Sequence, residues 1–261
     1  LQKSPVIFSL LSKRGKQVYF PKKGILAQAA EARGKAINAT IGEAVEDDGT
    51  PMRLDVVAEK INLNPKQIFP YAPSFGLATL RDKWKSMMAE KNPRLTGKEY
   101  SLPVVSSALT HGLSMAGYLF LDEGDTLLVP DICWDNYSLV FENGYGAKIE
   151  SFPLFKGQSL DLEGFRHALL AGEPRKKVVL LNFPNNPTGY SPTATEATSL
   201  TKIVLEAAEK GHHIAIIIDD AYFGLVYENE IETQSLFVSL ADVHTNVLAI
   251  KLDGSTKEDY V

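Results

Sequence analysis

The stretch that most constrains the fold of this chain is a short apolar run that ends in two carboxylates. Ile214–Ile218 is entirely apolar and mostly β-branched, and Asp219 and Asp220 follow it directly. Such a run predicts a strand buried on both faces, as interior strands of parallel sheets are. Carboxylates at the carboxyl end of such a strand lie where open α/β sheets bind their ligands. Alternatively they only begin a solvated loop, and this strand alone does not decide between the two interpretations.

Other apolar segments alternate between strand-like and helix-like patterns along the chain. The further predicted strands are Leu102–Ser107, Thr126–Val129, Gly146–Phe152, Lys177–Asn182 and Val247–Ile250. The predicted helices are Gly24–Arg33, Leu54–Asn62, Leu77–Lys91, Thr110–Leu121, Trp134–Asn143, Leu162–Leu170 and Thr193–Lys210. This alternation predicts a three-layer α/β/α fold, in which a mostly parallel sheet has helices on both faces.

The helix Leu77–Lys91 has the spacing of an amphipathic helix. The side chains expected to face the core are Leu77, Leu80, Trp84, Met87 and Met88. Apolar residues at this spacing are a packing signal. We therefore interpret them as core rather than as part of a cofactor site.

Composition excludes several classes of protein. The 261 residues are 44% hydrophobic with a net charge of −5, which is ordinary for a globular chain, and no basic patch indicates a nucleic-acid partner. The apolar runs are far shorter than the ~20 residues of a membrane span, and the first residues lack a signal-peptide pattern. The single cysteine, Cys133, excludes an intrachain disulfide framework and fits a reducing compartment. We expect a cytoplasmic protein that binds neither nucleic acid nor membrane.

Three further stretches place polar residues near the ends of predicted strands. Asn182–Gly189 contains two prolines, three asparagines and a glycine, a composition that forms rigid turns able to present an amide. Lys257 follows the last predicted strand; most lysines are surface residues, but one beside a cofactor carbonyl can form a Schiff base. Ser106–Gly112 is small and polar before a helix, where free backbone amides can bind a phosphate. Together with Asp219, these are the groups that pyridoxal 5′-phosphate (PLP) requires.

Metal chemistry is not indicated. His212 and His213 are adjacent at the entrance to a strand, so their side chains point to opposite faces and cannot share one ion. His111 stands at the head of a predicted helix, where a structural role is the simpler interpretation.

Two motifs in fixed order carry a resemblance to a known family. Asn186-Pro-Thr-Gly189, followed by Asp219-x-Ala-Tyr222, resembles the class I/II aminotransferases of PLP fold type I, the aspartate aminotransferase-like enzymes. The resemblance extends over nearly the whole chain. It implies a PLP-dependent enzyme that transfers an amino group between an amino acid and a 2-oxo acid by a ping-pong route. Lyases and synthases of the same fold share most of these residues, and an aminotransferase-like sensor domain without catalysis is a further alternative.

The resemblance also implies roles for the residues around the cofactor ring. Asp219 would pair with the ring nitrogen, and Asn186 and Tyr222 would hydrogen-bond the phenolic oxygen. Trp134 would stack on the ring. Lys257 would form the Schiff base and later move the proton, with Lys251 as the one nearby competitor for that role.

The phosphate and the substrate are assigned in the same way. The residues expected at the phosphate are Ala108, Leu109, Thr110 and Ser255, together with Tyr71 reaching across from the partner subunit of a homodimer. Gly42 and Asn186 would contact the substrate. The segment Ser107–His111 is poorer in glycine than the family's usual phosphate cradle.

The resemblance further implies a division into domains. Residues 1–45 would form an N-terminal arm and a small-domain segment, and residues 46–261 the PLP-binding large domain, incomplete at its C-terminal end. In the family, the arginines that bind the phosphate and the substrate carboxylate follow the Schiff-base lysine. We therefore expect the chain to be truncated before the C-terminal small domain.

Overall fold

The computed structural model describes residues 5–17, 25–38, 40 and 44–259. Its α-helices are α1 (Pro5–Leu10), α2 (Lys13–Gln17), α3 (Ile25–Ala32), α4 (Asp55–Ala58), α5 (Pro65–Ile68), α6 (Ala78–Lys91), α7 (Leu109–Phe120), α8 (Leu162–Leu170), α9 (Ala194–Glu209), α10 (Phe237–Leu240) and α11 (Ser255–Glu258). Its strands are β1 (Thr126–Pro130), β2 (Lys148–Phe152), β3 (Phe155–Lys156), β4 (Ser159–Leu160), β5 (Lys176–Asn182), β6 (His213–Asp219) and β7 (Val247–Leu252). A 3₁₀-helix spans Pro93–Leu95 and a π-helix spans Ser138–Asn143.

Five strands form one parallel sheet in the order β2-β1-β5-β6-β7. The small strands β3 and β4 pair separately as an antiparallel hairpin. After β1 the chain adds β2 on one side, and it then returns to add β5, β6 and β7 on the other side. The strand order therefore reverses between β1 and β5, and open α/β sheets bind ligands outside the carboxyl ends of strands at such a point.

Helices cover both faces of the sheet, which confirms the predicted three-layer fold. Successive side chains of a strand point to opposite faces. In β6, Ile214, Ile216 and Ile218 pack in a core with α8, α9 and α10. Ala215 and Ile217 pack on the other face with α7 and the π-helix. A strand buried on both sides has no room for polar residues until it reaches its end.

The first residues of α9, the helix before β6, fix the position at which this helix begins. Thr193 accepts a hydrogen bond from the backbone of Glu196, whose side chain accepts one from the backbone of Thr193. This reciprocal capping box satisfies two amides that the first turn of α9 would otherwise leave without partners. None of the helices within the described ranges is long and apolar enough to cross a membrane.

Three local predictions are wrong. Leu102–Ser107 is not a strand: its backbone is instead held by α6, where Arg81 Nε donates to the carbonyl of Pro103 at 2.6 Å. In α6, Met88 is buried and Trp84 packs against the core, but Leu77 and Leu80 at the start of the helix are exposed. The helix predicted over Leu54–Asn62 is limited to the single turn of α4.

Candidate active site

The candidate site lies at the carboxyl edge of the sheet, where four neighbouring strands end. Trp134 follows β1, Asn186 follows β5, Asp219 ends β6 and Lys257 lies in α11 just after β7. Parallel strands bring their carboxyl ends to one edge, so residues distant in sequence become neighbours there. The reversal of strand order between β1 and β5 lies within this edge.

Asp219 is a buried carboxylate, only 4% exposed. Its Oδ2 accepts a 2.6 Å hydrogen bond from the hydroxyl of Tyr137, and its Oδ1 accepts one of 3.2 Å from the backbone of Ala221. Burial raises the pKa of Asp219, and these two donors oppose that rise. A carboxylate has about four acceptor positions, so Asp219 retains capacity for a further donor.

Tyr137 is a site residue that the sequence did not reveal. Burial and the neighbouring charge of Asp219 raise the pKa of its hydroxyl well above the ordinary value, which keeps it protonated as a donor. Tyr137 also packs edge-to-face against Trp134, with ring centroids 5.5 Å apart. Trp134 is half-buried. In the sequence Trp134-Asp-Asn-Tyr137, nothing local indicates that the tyrosine reaches a carboxylate on another strand.

Asn182 joins the loop after β5 to the end of β6. It lies opposite Asp219 in the sheet register, and its amide donates to the backbone carbonyl of Asp219 at 2.8 Å. Its Oδ1 accepts a 2.7 Å hydrogen bond from the backbone of Asn186. The side chain of Asn186 in turn donates to the hydroxyl of Tyr222 at 3.4 Å. Through Asn182, the structure brings Asn186, Asp219 and Tyr222 together.

The loop after β5 is fixed by its own hydrogen bonds. Asn185 Oδ1 accepts from the hydroxyl of Thr188 at 2.7 Å, and the backbone of Gly189 donates to the carbonyl of Asn185 at 2.7 Å. The amide of Asn185 donates to the carbonyl of Ile132, in the loop after β1. This contact spans the reversal of strand order, so the loops that carry Trp134 and Asn186 are held together.

Lys257 approaches the same group of residues from β7. Its Nζ lies 6.0 Å from the centre of the Tyr222 ring. Ser255 is the first residue of α11. A Cβ at Gly254 would lie 3.6 Å from Leu109, the first residue of α7, so the starts of α7 and α11 are adjacent.

The predicted phosphate segment stands at the start of α7. Ala108 is the N-cap residue, followed by Leu109 and Thr110 in the first turn, and no side chain caps this helix end. The backbone amide of Ser107 donates to Nδ1 of His111 at 3.1 Å, which gives His111 a structural contact. The amides of the first turn stay available to an anion.

A buried ion pair lies beneath the site. Asp220 is fully enclosed and pairs with Lys251 of β7, whose Nζ is also 3.1 Å from Asp253. The hydroxyl of Ser235 donates to Asp220 at 2.6 Å. Burial raises the pKa of Asp220 to about 6, against the lowering effects of Lys251 and Ser235. The amine of Lys251 is therefore engaged, which leaves Lys257 as the lysine available at this edge.

Of two further predicted residues, one is expected at the partner subunit's site and the other is not described by the structure. Tyr71 is 97% exposed in a loop before α6. Gly42 lies outside the described residues. No group of three or more potential metal ligands occurs among the residues that the structure describes.

The fold and the edge define a doubly wound α/β protein with a buried carboxylate, an asparagine–tyrosine pair and a lysine at its ligand-binding edge. The sequence pattern of the family described as aminotransferase class I and II matches residues 35–251. The chain belongs to this family, whose members are PLP enzymes of fold type I.

Individual relatives show how much of such an enzyme this chain represents. A probable aspartate/prephenate aminotransferase of Aquifex aeolicus is 33% identical over 79% of this chain and 50% of its own length. An aspartate aminotransferase of Bacillus subtilis is 29% identical over 78% of this chain and 49% of its own. The crystal structure of an aminotransferase from Anaerococcus prevotii superposes with a TM-score of 0.80 at 22% identity, covering 97% of this chain and 64% of that one. The chain spans about half the length of the curated relatives it matches.

The residues at the edge fit PLP. Within the described part of the chain, Asp219 has no cationic side chain in direct contact. A buried carboxylate without a cation is unfavourable, and a protonated ring nitrogen would supply one. The asparagine–tyrosine pair suits an oxyanion, and the free amides at the start of α7 suit a phosphate.

Proposed function

We propose that this chain carries the cofactor site of a PLP-dependent aminotransferase, which passes an amino group between an amino acid and a 2-oxo acid by a ping-pong route. The observation that supports this most strongly is the assembly of Asp219, Asn186, Tyr222 and Lys257 at one edge of the sheet. When bound, PLP supplies an aldehyde that condenses with amines and a protonated ring that withdraws electrons from Cα.

The protein groups divide the work by position and charge. Lys257 would hold the cofactor through its Nζ and afterwards carry the proton removed from the substrate Cα. Asp219 would keep the ring nitrogen protonated, because an adjacent carboxylate favours the charged form of a base. Tyr137 would hold Asp219 in place through its hydrogen bond.

The remaining groups would bind and orient. Asn186 and Tyr222 would donate to the phenolic oxygen, and Trp134 would cover one face of the ring. The phosphate would be bound by the amides of Ala108, Leu109 and Thr110 and by Ser255. The substrate would lie against Asn186 and Gly42.

A product assay separates this proposal from its alternatives. The native, full-length protein is saturated with PLP and incubated with a panel of amino acids, with and without a 2-oxo acid acceptor. An aminotransferase converts a donor to its 2-oxo acid and aminates the acceptor in equal amounts. Elimination or condensation products would identify a lyase or a synthase, and cofactor binding without any turnover would favour a sensor.

We further propose a homodimer with two shared sites. Tyr71 is 97% exposed and has no hydrogen-bond partner among the described residues, and in the family a tyrosine at the matching position reaches the phosphate of the other subunit. An isologous dimer would place each Tyr71 at the partner's site.

The single cysteine supports a reducing, cytoplasmic setting.

A further inference from the structure

The residue directly after Lys257 makes a long-range ion pair. Lys91 Nζ, on the last residue of α6, lies 2.8 Å from Oε1 of Glu258. The two side chains are 32% and 18% exposed, so water and salt screen this pair less than a fully exposed one. The pair joins positions 167 residues apart in sequence, and it ends on the helix that carries Lys257.

The helix α11 needs such a contact. It has four residues and no side-chain N-cap, and the backbone of Asp259 donates back to Ser255 at 2.8 Å. One helical turn does not persist by itself, because fixing its residues costs more than its hydrogen bonds return. The position of Lys257 is therefore set by what α11 packs against.

The loop after β6 is shaped around the Glu258 carboxylate. Gly224 has φ +84°, and a Cβ there would lie 2.8 Å from Cδ of Glu258 and closer still to Oε1. Only glycine adopts this conformation easily and leaves this space. The same loop carries Tyr222, the ring that Lys257 faces. Glu258 is thus held between α6 and the Tyr222 loop.

The charges around the pair favour its formation. Burial lowers the pKa of Lys91, but Glu258, with smaller contributions from Asp259 and Asp253, outweighs this and raises it overall. Lys91 is therefore charged over the whole neutral range. Lys251, on the strand before α11, is already paired with Asp220 and Asp253, so it does not compete for Glu258.

We propose that the Lys91–Glu258 ion pair is a strap that fixes α11 and thereby orients the amine of Lys257 toward the cofactor. Lys91 and Glu258 are positioning residues, since they act on Lys257 through the helix. This inference rests on the proposed function for the role of Lys257. The existence of the strap, in contrast, is testable without any cofactor.

The test uses Lys91→Met, Glu258→Gln and the charge swap Lys91→Glu/Glu258→Lys in the native, full-length protein. Hydrogen exchange of the peptide that contains residues 255–259 is measured on cofactor-free protein. The rate at which added PLP becomes trapped on Lys257 is then measured by timed borohydride quenching and peptide mapping. The matched control is the remote pair of Arg166 and Glu206, 2.6 Å apart and 42% and 32% exposed, as Arg166→Met.

Each single variant should accelerate hydrogen exchange in α11 and slow the trapping of PLP on Lys257. Both rates should change by about fivefold, which corresponds to the stabilisation that a well-formed ion pair provides. The charge swap restores opposite charges but places a glutamate near Asp253 and Asp259, so it should recover only part of each loss, and Arg166→Met should change neither. Exchange and trapping as in the wild type in both single variants would overturn the proposal. Glu258→Gln keeps size and shape, so it decides the matter if Lys91→Met folds poorly. If the wild-type protein traps no PLP on Lys257, the proposed function is contradicted. The hydrogen-exchange data on cofactor-free protein still test the strap in that case.

Discussion

At Asp219, the charge of the side chain conflicts with its buried environment. It is 4% exposed, and its two observed partners are neutral donors, a hydroxyl and a backbone amide. Burial raises its pKa as a result. A protonated ring nitrogen would reverse this conflict, because an opposite charge stabilises the ionised carboxyl. The chemistry proposed for the cofactor thus depends on a carboxylate that the fold holds out of water.

Tyr137→Phe tests whether the 2.6 Å hydrogen bond to Asp219 holds that carboxylate. Its loss should lower the free energy of unfolding of the cofactor-free protein by about 1–3 kcal/mol, because a buried charged acceptor loses its donor. Urea denaturation measures this change. Tyr118→Phe, at an exposed tyrosine on α7, is the matched control and should be neutral. Equal losses in the two variants would contradict the role given to Tyr137.

Cys133 provides a pH test of the same region. Burial, followed by the charges of Asp135 and Asp131, raises the pKa of its thiol to about 11, from 9.0 in the absence of these effects. The reactive thiolate fraction at pH 8 is therefore about a hundredfold smaller than for a thiol of pKa 9. Alkylation by iodoacetamide should be correspondingly slow and rise about tenfold per pH unit up to about pH 11. A rate that levels off near pH 9 would show that the thiol is not buried.

At the scale of elements, the helices and strands with a strong local pattern could be predicted from the sequence. Ile214–Ile218 lies within β6, and α8 spans Leu162–Leu170 as predicted. The strand predicted at Leu102–Ser107 fails because a strand needs a neighbour to pair with, and apolar content alone does not supply one. The core positions predicted for Leu77 and Leu80 are wrong for a related reason. Helical spacing identifies the apolar face of a helix, but it does not show which element covers that face.

The contacts between strands were beyond the sequence. Nothing local indicates that β7 pairs with β6 in the register that places Ile218 opposite Lys251. That register brings Lys251 to Asp220. The sequence alone therefore leaves Lys251 as an alternative to Lys257 for the Schiff base. The pairing of β7 with β6 excludes this alternative, because it places Lys251 in the ion pair with Asp220.

Removing one partner of the buried Lys251–Asp220 ion pair should destabilise the protein. Lys251→Met leaves Asp220 buried without its main cation, which should lower the free energy of unfolding by about 3–5 kcal/mol. The double variant Lys251→Met/Asp220→Asn removes both charges and should be more stable than Lys251→Met alone. Guanidinium denaturation of the wild type, Lys251→Met, Asp220→Asn and the double variant measures this. A double variant that loses the sum of both single effects would show that the two residues act independently.

At the scale of the whole molecule, the site is a product of topology. Its residues come from four strands, and only their short motifs are local in sequence. Asn186, Asp219 and Tyr222 could be predicted because those motifs resemble a known family. Tyr137 and Asn182 could not be assigned, because their contacts with Asp219 depend on the packing of separate strands.

The proposed dimer gives a prediction at this scale. The native, full-length protein should sediment as a dimer, because the proposed role of the exposed Tyr71 requires a partner subunit. Tyr71→Phe should weaken PLP affinity without changing the free energy of unfolding of the cofactor-free protein, since among the described residues the hydroxyl has no hydrogen-bond partner. Equilibrium sedimentation and cofactor titration measure the two effects. A fully active monomer would contradict the role given to Tyr71.

The most direct test of the proposed site is to identify the lysine that holds the cofactor and to separate its role from that of Asp219. The native protein, Lys257→Ala and Asp219→Asn are incubated with PLP, reduced with borohydride and mapped by peptide mass spectrometry. The native protein and Asp219→Asn should carry the pyridoxyl group on Lys257, and Lys257→Ala should carry none. The rate of Cα deprotonation of a bound amino acid should nevertheless be several orders of magnitude lower in Asp219→Asn than in the native protein. Each tenfold decrease corresponds to about 1.4 kcal/mol. A pyridoxyl group on Lys251, or on any lysine other than Lys257, would contradict this assignment.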